Sequence, residues 1–158
     1  MQLLKKIIPW VVVSLFAAVF VVAFALKDTM NSTITEMMKQ QASPESIKSG
    51  EALADSLYNY TKNGGTYQIT FLEFGSTGCP ACKRMESVMD EVRVKYPEKI
   101  NVVFLNILKT ENQLLMKYYG IAVIPTQVLL NKEGKEFFRH SAFYSLVELE
   151  KEFLPAIK

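Results

Sequence analysis

From Ile7 to Leu26 the chain is uncharged and almost wholly apolar, IIPWVVVSLFAAVFVVAFAL; beyond Lys27 apolar and polar positions alternate at the spacings of ordinary helices and strands. Ser43 followed by Pro44 reads as an N-cap with proline in the first turn. Ile47, Leu53, Ala54, Leu57 and Tyr60 then give the apolar face of a helix that Asn63-Gly64-Gly65 ends. Tyr67 to Phe74 is a β-rich run stopped by Gly75, the pattern of a buried strand. Pro80 to about Tyr96 carries Met85, Val88, Met89 and Val92 at helical spacing, with Pro97 as the stop. Ile100 to Leu105 predicts a second strand, and Glu111 to Tyr119 a helix ending at Gly120. Gln127 to Leu130 predicts a third strand, Asn131 to Gly134 a turn, and Lys135 to His140 its antiparallel return. Ser145 with Glu148 fits a capping box that opens a last helix to about Ala156. This order is that of an α/β sheet with a parallel portion and an antiparallel hairpin at its end.

The apolar stretch follows a different rule. Its twenty residues would reach about 30 Å as a helix, the thickness of a bilayer's hydrocarbon core. Lys5 and Lys6 precede it, while Lys27 and Asp28 cancel beyond it. The positive-inside rule then puts Met1 in the cytoplasm and the rest of the chain across the membrane. The predicted organisation is a cytoplasmic tip and transmembrane anchor over 1–27, a polar spacer over 28–43 with some helical register, and a folded domain over 44–158. A second reading stands beside the anchor: the two lysines also form a signal-peptide n-region, and Ala23-Phe24-Ala25 resembles a cleavage site. Cleavage would release a secreted domain. Either route leads out of the cytoplasm, to a periplasm or the cell exterior.

Composition narrows the chemistry. A net charge of +2 without a basic, aromatic-interleaved cluster gives no sign of nucleic-acid binding. There is no Gly-rich phosphate loop, and the sole histidine, His140, reads as a solvated residue of a surface strand, so no cofactor and no metal site is expected. Two cysteines remain, in Gly78-Cys79-Pro80-Ala81-Cys82 at a strand-to-helix junction. With no other cysteine there is no disulfide framework for them to join. A thiol at a helix start faces unpaired N–H groups and the positive end of the helix dipole, which lowers its pKa from about 8.5. Cys79 is therefore the expected nucleophile, and Cys82, one turn on and facing inward, the resolving thiol. Lys83 and Arg84 follow closely enough to support a thiolate at Cys79.

Around this pair the residues resemble the thioredoxin-like oxidoreductases, from about Gln68 to Lys158. The resemblance rests on the strand before Cys79-Pro80-Ala81-Cys82-Lys83, on Glu73 within that strand, on Tyr119-Gly120-Ile121, and on Val123-Ile124-Pro125-Thr126 before the hairpin. It implies a thioredoxin-like fold, a central mixed sheet flanked by helices. It also implies a cis peptide at Ile124-Pro125, with Ile124, Pro125 and Thr126 presenting backbone to an extended substrate. Glu73 stands where the family usually has an aspartate that takes the resolving thiol's proton. The implied activity is thiol–disulfide exchange on protein substrates; on a tether outside the cytoplasm the pair would need a membrane electron donor or acceptor as partner. Three departures stand out: Gly78 replaces an aromatic residue, Phe104 stands where a lysine usually faces the acid, and Pro80-Ala81 replaces Gly-Pro. A reductant is the leading expectation. A disulfide-forming oxidant, a metallochaperone and a non-catalytic binding module remain as alternatives.

Overall fold

The computed structural model describes residues 2–25 and 27–157, the side chains of 2–9, 24–25, 27–28 and 31–32 excepted. The chain divides into two compact units, Met1–Ile34 and Thr35–Lys158. In the first, α1 (Gln2–Ala25) carries the apolar stretch, and Trp10, Phe16 and Phe20 are largely exposed. Among the described residues no helix is long and apolar enough to cross a membrane. The transmembrane helix expected over Ile7 to Leu26 is therefore not found there. The described side chains of that stretch run only from Trp10 to Ala23, about 21 Å of helix at 1.5 Å per residue, and Leu26 lies outside the described residues. The following stretch, read as a spacer, forms α2 (Lys27–Gln41), whose residues from Thr35 onward belong to the second unit.

That unit is an α/β sandwich. Ser43 caps α3 (Pro44–Tyr58), its hydroxyl accepting from Ser46 N at 3.2 Å with Pro44 in the first turn. The predicted single helix breaks at Asn59, whose backbone leaves helical geometry, and restarts as the short α4 (Tyr60–Asn63). Strand β1 (Ile69–Gly75) is buried along its whole length. Then come α5 (Pro80–Lys95), β2 (Ile100–Asn106), a 3₁₀ turn at Thr110–Asn112 leading into α6 (Gln113–Tyr118), β3 (Thr126–Leu130), β4 (Glu136–Ser141) and α7 (Leu146–Phe153). Ser145 and Glu148 form the expected capping box at the start of α7.

The strand order is β2-β1-β3-β4. β1 pairs parallel with β2 and antiparallel with β3, and β3 pairs antiparallel with β4. A strand alternates its side chains between two faces, and β1 does so between two cores. Leu72 and Phe74 pack with Leu115, Tyr119 and Ala54 of the α3/α6 side. Ile69 and Phe71 pack with Met85, Val88, Val92, Leu149 and Phe153 of the α5/α7 side. Gly120 closes α6 with φ +62, and a Cβ there would lie 2.6 Å from the Thr35 carbonyl oxygen, so only glycine fits both the conformation and the space.

Candidate active site

The C-terminal end of β1 leads directly into the cysteine pair. Cys79 is the N-cap of α5 in extended conformation, and its sulfur accepts a hydrogen bond from Cys82 N at 3.1 Å. Pro80 follows in the first turn, where no donor is needed. Cys79 and Cys82 are joined as a disulfide with Cα atoms 5.2 Å apart. Cys79 is half-buried and Cys82 only 1 % exposed, the division between an outer and an inner sulfur that the sequence suggested. The first-turn N–H that reaches Cys79 Sγ is one of the donors that would stabilise a thiolate there.

Gly75 makes the inner position possible. A Cβ on it would stand 3.2 Å from both Cβ and Sγ of Cys82 and 3.0 Å from the Phe104 ring, so Cys82 rests on bare backbone at the strand's end. The sequence marks Gly75 only as a strand terminator; a glycine ending a buried strand just before a CxxC is the available signal. Gly78, in contrast, is exposed and open, with no atom within 4 Å of where a Cβ would be. Lys83 and Arg84 are exposed, and the Arg84 guanidinium lies 5.6 Å from the centre of the Phe143 ring in the loop after β4.

Ile124-Pro125 is cis, as the resemblance implied. Thr126 pairs with Phe74, next to Gly75, so Pro125 adjoins the strand end on which Cys82 rests. Pro125 and Thr126 are buried and Ile124 half-buried. The turn is tied in place by Thr126 Oγ1, which donates to Val123 O at 2.8 Å and bonds Ser141 Oγ at 3.0 Å. Ala142 N donates to Pro125 O at 2.9 Å, and Ala142 holds φ +96 to do so.

Glu73 lies two residues before Gly75, on the same face of β1, and is fully buried. Its register partners are Phe104 on β2 and Gln127 on β3. Phe104 thus stands beside the acid, as the departure from the family pattern indicated. Burial pushes the Glu73 carboxyl up to about 8, and a hydrogen bond from Gln127 Nε2 to Oε2 at 3.0 Å works against that rise. A carboxyl in that range exchanges protons with a thiol at little cost. Gln127 is also fully buried; the sequence marks it only as the first residue of a strand, although a polar side chain opening an apolar run is a visible signal. His140 stands opposite Gln127 on β4 and is half-buried under Tyr144, their rings stacked at 4.2 Å, so it is not the fully solvated residue expected. Among the described residues no group of three or more His, Cys, Asp or Glu is placed to hold a metal.

Comparison with known proteins gives the same picture. The family model described as Thioredoxin matches residues 53–151, beginning within α3, upstream of the stretch on which the sequence resemblance rested. The chain is 30% identical over 67 residues to the chloroplastic thioredoxin-like protein HCF164 of Oryza sativa subsp. japonica. It is 28% identical over 67 residues to the protein of that name from Arabidopsis thaliana. It spans about a quarter of the length of these relatives, the match covering 26% of each and 42% of this chain. Among solved structures, thioredoxin NaTrxh from Nicotiana alata superposes with a TM-score of 0.51 at 24% identity, over 67% of this chain and 81% of that one. At that identity the likeness speaks for the fold.

Proposed function

This chain belongs to the thioredoxin family, and from that premise we propose that it is a thiol–disulfide oxidoreductase acting on protein substrates, reducing them from a membrane tether outside the cytoplasm. The observation that carries the activity is the Cys79–Cys82 pair at the N-terminus of α5, beside the cis Ile124-Pro125 turn and above a buried carboxyl.

In the reduced protein the Cys79 thiolate attacks one sulfur of a substrate disulfide. A Cys79–substrate disulfide forms, and the other substrate sulfur leaves as a thiolate that takes a proton from water. Cys82 then gives its proton to the Glu73 carboxylate and its sulfur attacks Cys79. The Cys79–Cys82 disulfide closes, the second substrate thiolate leaves, and two electrons have passed from the pair to the substrate. Glu73 suits this step because its raised range lies close to that of a thiol. The main chain around Ile124, Pro125 and Thr126 holds the substrate segment. A dithiol protein in the membrane returns the electrons.

The tether rests on the uncharged stretch from Ile7 to Leu26, preceded by Lys5 and Lys6. A disulfide-forming oxidant is the second reading, favoured by Pro80 directly after Cys79 in place of the family's more usual dipeptide. Insulin reduction by the full chain in detergent tests the activity: Cys79→Ser is expected to abolish it, and full activity in that variant would overturn the reading. Equilibration with glutathione buffers gives the direction; a pair far more oxidising than glutathione would make the protein an oxidant. Mass spectrometry of the membrane-extracted protein reads the tether, which an N-terminus beginning after Ala25 would rule out.

A further inference from the structure

Glu73 and Gln127 are fully buried neighbours joined by a single hydrogen bond, Nε2 to Oε2 at 3.0 Å. Glu73 Oε1 and Gln127 Oε1 are both buried, and neither has a hydrogen-bond partner among the described residues. Both are acceptors, so what the pair lacks is a hydrogen, and the proton that converts Glu73 to its acid form supplies one. A primary amide is the side chain suited to such a neighbour: its N–H₂ donates to a carboxylate, and turned over, its carbonyl accepts from a carboxylic acid.

We propose that Gln127 is a positioning residue that turns its amide over with the protonation state of Glu73, giving the buried carboxyl one good hydrogen bond whether or not it holds the proton of Cys82. The inference rests on the oxidoreductase reading for its purpose but not for its test. A lysine at this position would favour the anion alone and hold the carboxyl ionised in both halves of the cycle. The amide leaves it free to accept a proton and release it again.

The surroundings are consistent with this role. From β2 the neighbour of Glu73 is Phe104, which carries no charge. From α5 the residue on this face is Cys82, resting on Gly75 and joined to Cys79 as a disulfide. Beyond Gln127, His140 occupies the paired position on β4 with Tyr144 stacked on it, and Glu148 on α7 is held below the usual carboxylate range chiefly by its Ser145 hydrogen bonds, with His140 and Lys151 as smaller influences. Burial and the Gln127 hydrogen bond are the influences acting on the Glu73 carboxyl.

The test is a ¹³C NMR titration of the Glu73 carboxyl carbon in the full chain in detergent micelles, assigned with Glu73→Gln. It needs no turnover, so an inactive protein would sink the oxidoreductase reading and leave this one standing. In Gln127→Met both protonation states lose their partner. The carboxylate loses more, because a charge-assisted hydrogen bond is about twice as strong as a neutral one. The midpoint is expected to rise by about one pH unit. In Gln127→Lys it is expected to fall by about two units, leaving about a tenth of the carboxyl in the acid form at pH 7. An unchanged midpoint in Gln127→Met, one that Gln127→Lys does not lower, or Gln127 side-chain N–H₂ signals that do not shift as Glu73 titrates in the unmutated protein overturn the proposal. Should Gln127→Met fail to fold, Gln127→Asn, which draws the amide back by one methylene, is read in the same way: an upward shift supports the proposal and an unmoved midpoint overturns it.

Discussion

Strand β1 buries one polar side chain on each of its faces, and the two are treated in opposite ways. On the α3/α6 side Thr70 is fully buried, its hydroxyl bonded to the Tyr60 hydroxyl at 2.7 Å, which in turn accepts from Asn101 Nδ2 at 2.9 Å. On the α5/α7 side Glu73 is equally buried but has one donor for two oxygens, beside an amide whose own oxygen is unmatched among the described residues. The first is a saturated network of the kind that fixes a core. The second keeps hydrogen-bonding capacity in reserve, at the strand end where a thiol must lose and regain a proton. Thr70 and Glu73 differ not in packing but in which of the two has an unmet hydrogen-bond requirement.

The largest effects should fail to distinguish the faces. Phe71→Ala and Phe74→Ala each remove a fully buried ring from opposite cores, and each should lower stability by about 3–5 kcal/mol in urea denaturation. A loss confined to one of them would show that the two cores are not equivalent supports for β1.

Glu73 should then separate the faces by its pH dependence. Its folded range, about 8, lies above the ordinary 4.5, so the folded protein binds the proton more tightly than the unfolded chain. The stabilisation from the neutral carboxyl is complete below about 4.5 and is lost progressively as pH rises to about 8. The slope in that window should approach ~1.4 kcal/mol per pH unit. Glu73→Met should flatten it, and denaturation at a series of pH values checks this. A slope surviving the substitution would place its source elsewhere.

The smallest effect belongs to Thr70. Thr70→Val leaves the Tyr60 hydroxyl with one partner fewer and should cost about 1 kcal/mol, the same at every pH between 5 and 8. A pH-dependent loss there would mean that the two polar groups are coupled through the sheet.

Much of this was legible in one dimension. Caps and breakers are local chemistry, so Ser43-Pro44, Pro97, Gly120 and the Ser145/Glu148 box marked element ends within a residue or two. Asn59 was missed as a break because nothing in its neighbours' spacing interrupts the helical pattern; the backbone turns there so that Tyr60 N can bond Lys132 O at 2.9 Å, a partner remote in sequence. The cysteine pair, its place at a helix start and the depth of Cys82 followed from spacing, because three residues of helix fix which side faces inward. Glu73 was legible as a buried acid because the strand around it is apolar on both sides.

What holds that acid was not legible. The sequence by itself determined most element ends of the α/β unit, the redox pair and the identity of the buried carboxyl, since each depends on neighbours within a turn or on strand alternation. Only the tertiary structure decided that Gln127, 54 residues away, donates to Glu73, that Gly75 leaves room for the Cys82 sulfur, and that Thr70 and Glu73 meet such different surroundings. Those facts depend on strand register, and register is settled when two hydrophobic faces are buried at once, a condition no single segment contains.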